Sequence, residues 1–186
     1  YDSPFVMKGN IMAFDGITIA ALTAELREKL EGGRLYKIAQ PEKDELLLTI
    51  KNNSNQYRLL ISANASLPLL YLTDDNKKSP MNAPNFCMLL RKHVQNARIT
   101  AVKQPGLERV VHFHMEHLNE MGDLCTKILT VELMGKYSNI IFRDEEKIID
   151  SMKHISIAVS SVREVLPGRT YFIPGADEKM DLLQTD

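Results

Sequence analysis

The sequence predicts an α+β fold, mostly antiparallel β sheets or a sandwich, with two main helices at one side or end. Three observations predict it. Apolar residues recur at helical spacing in only two windows, 18–30 and 85–95. Eight or nine other segments alternate polar and apolar residues, or run apolar, at strand length. The two kinds of segment do not alternate along the chain, as a parallel doubly wound sheet would require. At 21.1 kDa, with 44% hydrophobic and 25% charged residues, the chain can bury an ordinary core as one domain.

Residues 1–11 read as a tail or cloning remnant, or a disordered extension outside the fold, because the patterned text begins only at Met12. The domain is placed at 12–174. Ile19, Leu22, Leu26 and Leu30 form one face of the first helix, with Thr18 as its cap and Gly32-Gly33 as its end. The period then changes. Strands are predicted at 34–38, 45–51 and 57–61, broken by Gln40-Pro41 and by the turn Asn52-Asn53-Ser54-Asn55, which makes the last two a hairpin. A further strand is predicted at 68–73, followed by a polar loop over 74–85. Phe86, Leu89, Leu90 and Val94 give the second helix, from which Arg91 and Lys92 should project opposite the core or along its edge. Strands at 99–103, 109–115, 127–133, 139–142 and 147–152 complete the set. After Pro174-Gly175 the text turns polar, and 175–186 reads as the start of a linker.

Charge is unevenly distributed. The formal net charge is -1, yet Asn76 to Leu107 contains no Asp or Glu and holds Lys77, Lys78, Arg91, Lys92, Arg98 and Lys103. Such a strip fits either a solvated face or a surface for phosphate oxygens. No window approaches eighteen apolar residues, so no membrane span is expected. The beginning of the chain lacks the pattern of a secretory signal. Cys87 and Cys125 sit outside any CxxC frame and read as reduced core thiols, which suits a cytoplasmic protein, with a single disulfide between them as the other reading.

Catalytic signatures are sparse. The chain contains no GxSxG, GxxxxGK[ST] or GxGxxG pattern. His112 and His114 would share one face of a strand near His117, a spacing that suits either a metal or ordinary sheet-surface histidines, and neither a metal nor a cofactor is predicted. Met134-Gly135-Lys136-Tyr137-Ser138-Asn139 reads as a tight turn whose Lys136 could add to a phosphate-binding surface. Asn119 to Asp123 reads as a solvated turn. Asp15 and Glu108-Arg109 are more informative. A carboxylate beside an arginine can accept from base edges or ribose hydroxyls while the guanidinium holds a phosphate or stacks on a base. A local surface ion pair is the other reading.

An ordered set of motifs carries a family resemblance: Phe14-Asp15-Gly16, Gly32-Gly33-Arg34, Lys37-Ile38 with Gln40-Pro41, Phe86 to His93, and Gly106-Leu107-Glu108-Arg109-Val110. It continues with Asn119-Glu120, Gly122-Asp123, Met134-Gly135-Lys136, Ser138 to Ile141, Asp150-Ser151, Lys153-His154 and Leu166-Pro167-Gly168 with Tyr171. Together these resemble the N-terminal NFACT domain of the bacterial RqcH proteins, long labelled fibronectin-binding protein A. The resemblance implies a non-enzymatic role in ribosome-associated quality control. Such proteins bind a stalled large ribosomal subunit holding peptidyl-tRNA and recruit alanyl-tRNA for non-templated alanine tailing, through further domains as well. It also implies that an Asp-Arg pair and an early Asp bind tRNA, here Glu108 with Arg109, and Asp15. Glu in place of Asp keeps the charge and lengthens the reach by one methylene. Arg91, Lys92, Arg98 and Lys103 are added as candidate phosphate contacts from the charge pattern, and Lys136 from its place in the Met134 to Asn139 turn. The older label implies an alternative, a fibronectin-binding adhesin. The family's first domain is similar in fold to the N-terminal domain of the MutM and Nei glycosylases. Those enzymes begin with proline and glutamate, which this chain lacks, so base excision is not expected.

Overall fold

A computed structural model describes residues 15–174 and the backbone of 6–7 and 10–11. Strands β1 (Val6–Met7) and β2 (Asn10–Ile11) pair only with each other, so this part of the predicted tail forms a small antiparallel pair outside the main sheet. The predicted linker, 175–186, lies outside the described residues.

Helix α1 (Gly16–Leu30) is capped by Asp15, whose carboxylate accepts from the Thr18 N–H at 2.7 Å. Thr18 therefore uses the cap and does not supply it, because the helix begins two residues before the predicted start. The far end is fastened by Asn52, whose amide donates to the carbonyls of Lys29 and Glu31. Then follow β3 (Arg34–Glu42), β4 (Glu45–Asn52), β5 (Asn55–Ser62) and β6 (Leu69–Thr73) as an antiparallel meander. Helix α2 (Asn85–Val94) leads into a second meander: β7 (Arg98–Lys103), β8 (Val110–Leu118), β9 (Leu124–Glu132), β10 (Asn139–Arg143) and β11 (Ile148–Ser151). The predicted break at Gln40-Pro41 is instead absorbed as a register shift within β3, a place where proline is tolerated.

The two meanders join in one nine-stranded sheet, ordered β11-β10-β9-β8-β7-β3-β4-β5-β6. The seam between β3 and β7 is short. It is held by Gly32 N–H to Ile99 O, Ile99 N–H to Gly33 O and Leu35 N–H to Ala97 O, and it sets Arg34 opposite Arg98. Both helices bury their apolar faces on the same core. Ile19, Leu22, Leu26 and Leu30 of α1 and Phe86, Leu90 and Val94 of α2 pack with Leu48, Val102, Phe113 and Phe142. Lys153 Nζ donates to Ala63 O at 2.6 Å, so the chain after β11 reaches the β5 side of the sheet. No helix among the described residues is long and apolar enough to cross a membrane.

On the outer face of the second meander, Ile141, Ile148 and Val165 form a small cluster under the segment 153–172. That segment is fastened by bridges Ile155↔Val165 and Lys147↔Thr170. Cys87 is buried as a free thiol. Cys125 is also free but half-buried at the start of β9, beside Asp123 O, and not in the core as the sequence suggested.

Candidate RNA-binding corner

The loop after β7 folds back onto the first turn of α1. Gly16 makes this possible: a Cβ at that position would overlap the Leu107 carbonyl oxygen and come within 3.2 Å of the Leu107 side chain. The Gln104 amide ties the two segments, donating to Gly16 O at 2.9 Å and to Glu108 O at 2.8 Å. The turn closes through Gly106, whose φ of +53° suits glycine. The cap Asp15 and the pair Glu108-Arg109 thus meet at one corner. Asp15 and Arg109 are exposed and Glu108 is half-buried. The Thr18 hydrogen bonds hold the Asp15 carboxyl below its usual pKa, so it is an anion at neutral pH.

Arg109 also links the corner to the next turn, since its carbonyl accepts from Leu133 N–H at 2.9 Å. Immediately beyond Leu133 lies the 3₁₀ turn Gly135–Tyr137, with Gly135 at φ +56°. Lys136 is exposed there, its ammonium 5.1 Å from the Tyr137 ring centre, beside a cleft of about 680 Å³. Lys103 is exposed at the end of β7, one residue before Gln104. The structure therefore gathers Asp15, Glu108, Arg109, Lys103 and the Lys136 turn at one end of the sheet. It leaves the other proposed phosphate contacts apart. Arg98 is at the opposite end of β7. Lys92 is exposed on α2, whereas Arg91 is partly buried and its Nε donates to Ile38 O at 2.9 Å. Arg91 thus belongs in part to the scaffold between α2 and β3.

The histidines have structural partners. His112 Nδ1 is 2.9 Å from Thr130 Oγ1 and its ring meets Tyr171 edge-on at 6.2 Å. Burial, aided by the nearby Arg143 cation, depresses its pKa to about 4. The folded protein therefore holds His112 neutral, while the unfolded chain takes up a proton near the usual 6.5. Stability should fall as pH drops from about 6.5 to 4, by up to about 3 kcal/mol for this group. Denaturant midpoints at pH 7 and pH 4.5 check this. A His112→Gln variant should lose less stability between the two than the parent chain; an equal loss would contradict the assignment. The turn at Asn119 is also structural, its Oδ1 accepting from Met121 and Asp123 N–H.

Sequence reasoning missed the polar cluster behind β9. Glu132 is fully buried, receiving the Arg163 guanidinium and, at 3.0 Å, the Tyr171 hydroxyl. Arg143 stacks 4.2 Å from the Tyr171 ring centre and donates through Nε to Thr130 Oγ1 at 3.0 Å. The only available signal was a glutamate closing an apolar strand, which by itself does not identify a distant arginine.

Comparison with known proteins is consistent along nearly the whole chain. The family model described as NFACT N-terminal and middle domains matches residues 15–186. The chain is 42% identical over 175 residues to the Rqc2 homolog RqcH of Bacillus subtilis (strain 168), covering 93% of this chain and 31% of the relative. It is 32% identical over 153 residues to ribosome quality control complex subunit 2 of Schizosaccharomyces pombe (strain 972), covering 82% and 15%. Among solved structures, the N-terminal domain of the fibronectin-binding protein PavA from Streptococcus pneumoniae superposes with a TM-score of 0.84 at 35% identity, covering 94% of this chain and 70% of that one. The chain spans about a third or less of the curated relatives it matches.

Proposed function

Because the chain belongs to the family of NFACT N-terminal and middle domains, whose relatives include ribosome quality control proteins, we propose that it is the tRNA-binding part of such a factor. The whole protein would bind stalled large ribosomal subunits holding peptidyl-tRNA and recruit alanyl-tRNA for alanine tailing. The observation that carries this reading is the contact of Gly16 with Leu107, which joins Asp15 to Glu108-Arg109 at an exposed corner.

The division of labour follows from chemistry. Arg109 presents a planar, permanently charged donor to a phosphate or a base. Glu108 and the anionic Asp15 accept from ribose hydroxyls or base amino groups, which a purely cationic surface cannot do. Lys103 and Lys136 add phosphate attraction from either side of the corner, with Arg98, Lys92 and the exposed part of Arg91 further away. The role is binding and positioning rather than bond chemistry. Asp15→Asn keeps an oxygen for the Thr18 N–H, so it isolates the carboxylate charge from the helix cap.

The full-length protein provides the test. With Glu108→Ala/Arg109→Ala, it should still co-sediment with large subunits through its other domains, but tRNA recovery and alanine addition should fall at least tenfold. Unchanged alanine addition would contradict the assignment. The solved neighbour's description as fibronectin-binding supplies a second reading. It predicts binding to immobilised fibronectin outside intact cells.

A further inference from the structure

We propose that the outer face of the sheet at the β3/β7 seam is a second phosphate-binding surface, on which the backbone of the same tRNA continues from the corner. This extends the tRNA reading above and rests on it. Strand register puts Lys51 opposite Arg34, and Arg34 opposite Arg98, on three neighbouring strands. Residues directly opposite on an antiparallel ladder point to the same side, and adjacent strands lie about 4.8 Å apart, so these cations form a row about 10 Å wide. All three are exposed. Among the described residues none of them has a salt-bridge partner.

The row faces away from both helices. Leu46, Leu48 and Ile50 of β4 point into the core, so Lys51 belongs to the opposite face. Tyr36 stands at the register shift in β3, 47% exposed, with its ring 3.5 Å from Lys51 Nζ. Lys37, opposite Thr49, and Arg58, also opposite Thr49 on the other side, add cations to this surface. Along the row, the first carboxylate is Glu116, beyond Arg98 on β8. Glu45, at the other end of β4, is paired with Lys77 at 2.7 Å. Three like charges set side by side weaken a sheet, while a polyanion laid across them would relieve that repulsion. A ring among cations suits single-stranded or loop segments, whose bases can stack.

Continuity selects the occupant. β7 carries Arg98 at one end and Lys103 at the other, and Lys103 is directly opposite His112, whose pKa it helps to depress from the outer side. Six residues of strand span about 20 Å. The cations thus lead from the row along β7 to the corner where Gln104 joins Gly16 to Glu108. One RNA strand can follow that path. The seam pairs segments that are remote in sequence, so the row lies mostly outside the acid-free strip.

The test compares the chain with an Arg34→Gln/Lys51→Gln/Arg98→Gln variant, using deacylated tRNA and, separately, protein-free large-subunit RNA, over a salt series. Relief of mutual repulsion offsets the loss of the Lys51 contact with Tyr36 and of Arg98 opposite Glu116. The thermal midpoint should therefore stay within a few degrees of the parent's, and a midpoint measured beside the affinities separates weakened binding from misfolding. The variant should bind tRNA at least tenfold more weakly at low salt, and the log-log salt slope should shrink by about two, as expected for two to three lost phosphate contacts. Parental tRNA affinity and slope in the variant would overturn the proposal while leaving the corner intact. Loss confined to the large-subunit RNA would overturn the tRNA as occupant. If the parent chain binds no tRNA, the functional reading itself fails, and this extension with it.

Discussion

Glu132→Ala is expected to destabilise the domain by about 3–5 kcal/mol, the range for breaking a buried ion pair from one side. The carboxylate is fully buried at the end of β9 and receives both the Arg163 guanidinium and the Tyr171 hydroxyl. Without it, Arg163 keeps, among the described residues, the Phe172 carbonyl as its hydrogen-bond acceptor, at 2.6 Å. Burial and the neighbouring carboxylate push the Tyr171 hydroxyl well above its usual pKa, so it acts as a neutral donor. The segment 153–172 should therefore become protease-sensitive before the sheet unfolds. Chemical denaturation and limited proteolysis check both expectations. Glu132→Leu/Arg163→Met should recover much of the loss, because removing both charges avoids stranding one. A Glu132→Ala chain of unchanged stability would show that the cluster does not hold this segment.

Gly16→Ala should combine a moderate loss of stability with a large loss of tRNA binding. The added methyl would overlap the Leu107 carbonyl oxygen, a backbone atom that cannot rotate away. Overpacking of this kind costs about 1–3 kcal/mol. Within a helix, alanine would otherwise be preferred to glycine by up to about 1 kcal/mol, so the sign depends on the loop contact. Relief requires the loop to leave the helix, which breaks the Gln104 bridge and separates Asp15 from Glu108. The expected result is tRNA affinity reduced by tenfold or more in a chain that remains folded at 25 °C. A more stable Gly16→Ala chain with full affinity would mean that the corner is not assembled this way.

These predictions depend on contacts that are legible in the sequence to different degrees. The two helices, the Asn53-Ser54 hairpin and most strands follow from periodicity and turn chemistry, because local spacing decides which face of an element is apolar. Local pattern also marked Asp15 and Glu108-Arg109 as unusual. It could not show that they meet, since the contact depends on a glycine packing against a remote loop. Thr18 begins the apolar stripe and so reads as the cap, whereas the chain is already helical at Gly16 and the cap is Asp15. Pro41 suggested a strand end, but the bulged β3 accommodates it. The acid-free strip fits either a solvated face or a phosphate-binding surface when only the sequence is considered. In three dimensions its members divide among α2 and the two ends of β7, and Arg91 also supports the packing of α2. Strand order and register, which create the Lys51-Arg34-Arg98 row, are long-range properties that no window of the sequence contains.

The most direct measurement is the affinity of this chain for total cellular tRNA at low and moderate salt, beside the Glu108→Ala/Arg109→Ala variant. Binding by the parent chain should be salt-sensitive, and weakened at least tenfold in the variant at both salt concentrations. Equal affinities for the two proteins would contradict it, because attraction would then come from generic phosphate contacts and not from recognition at the corner.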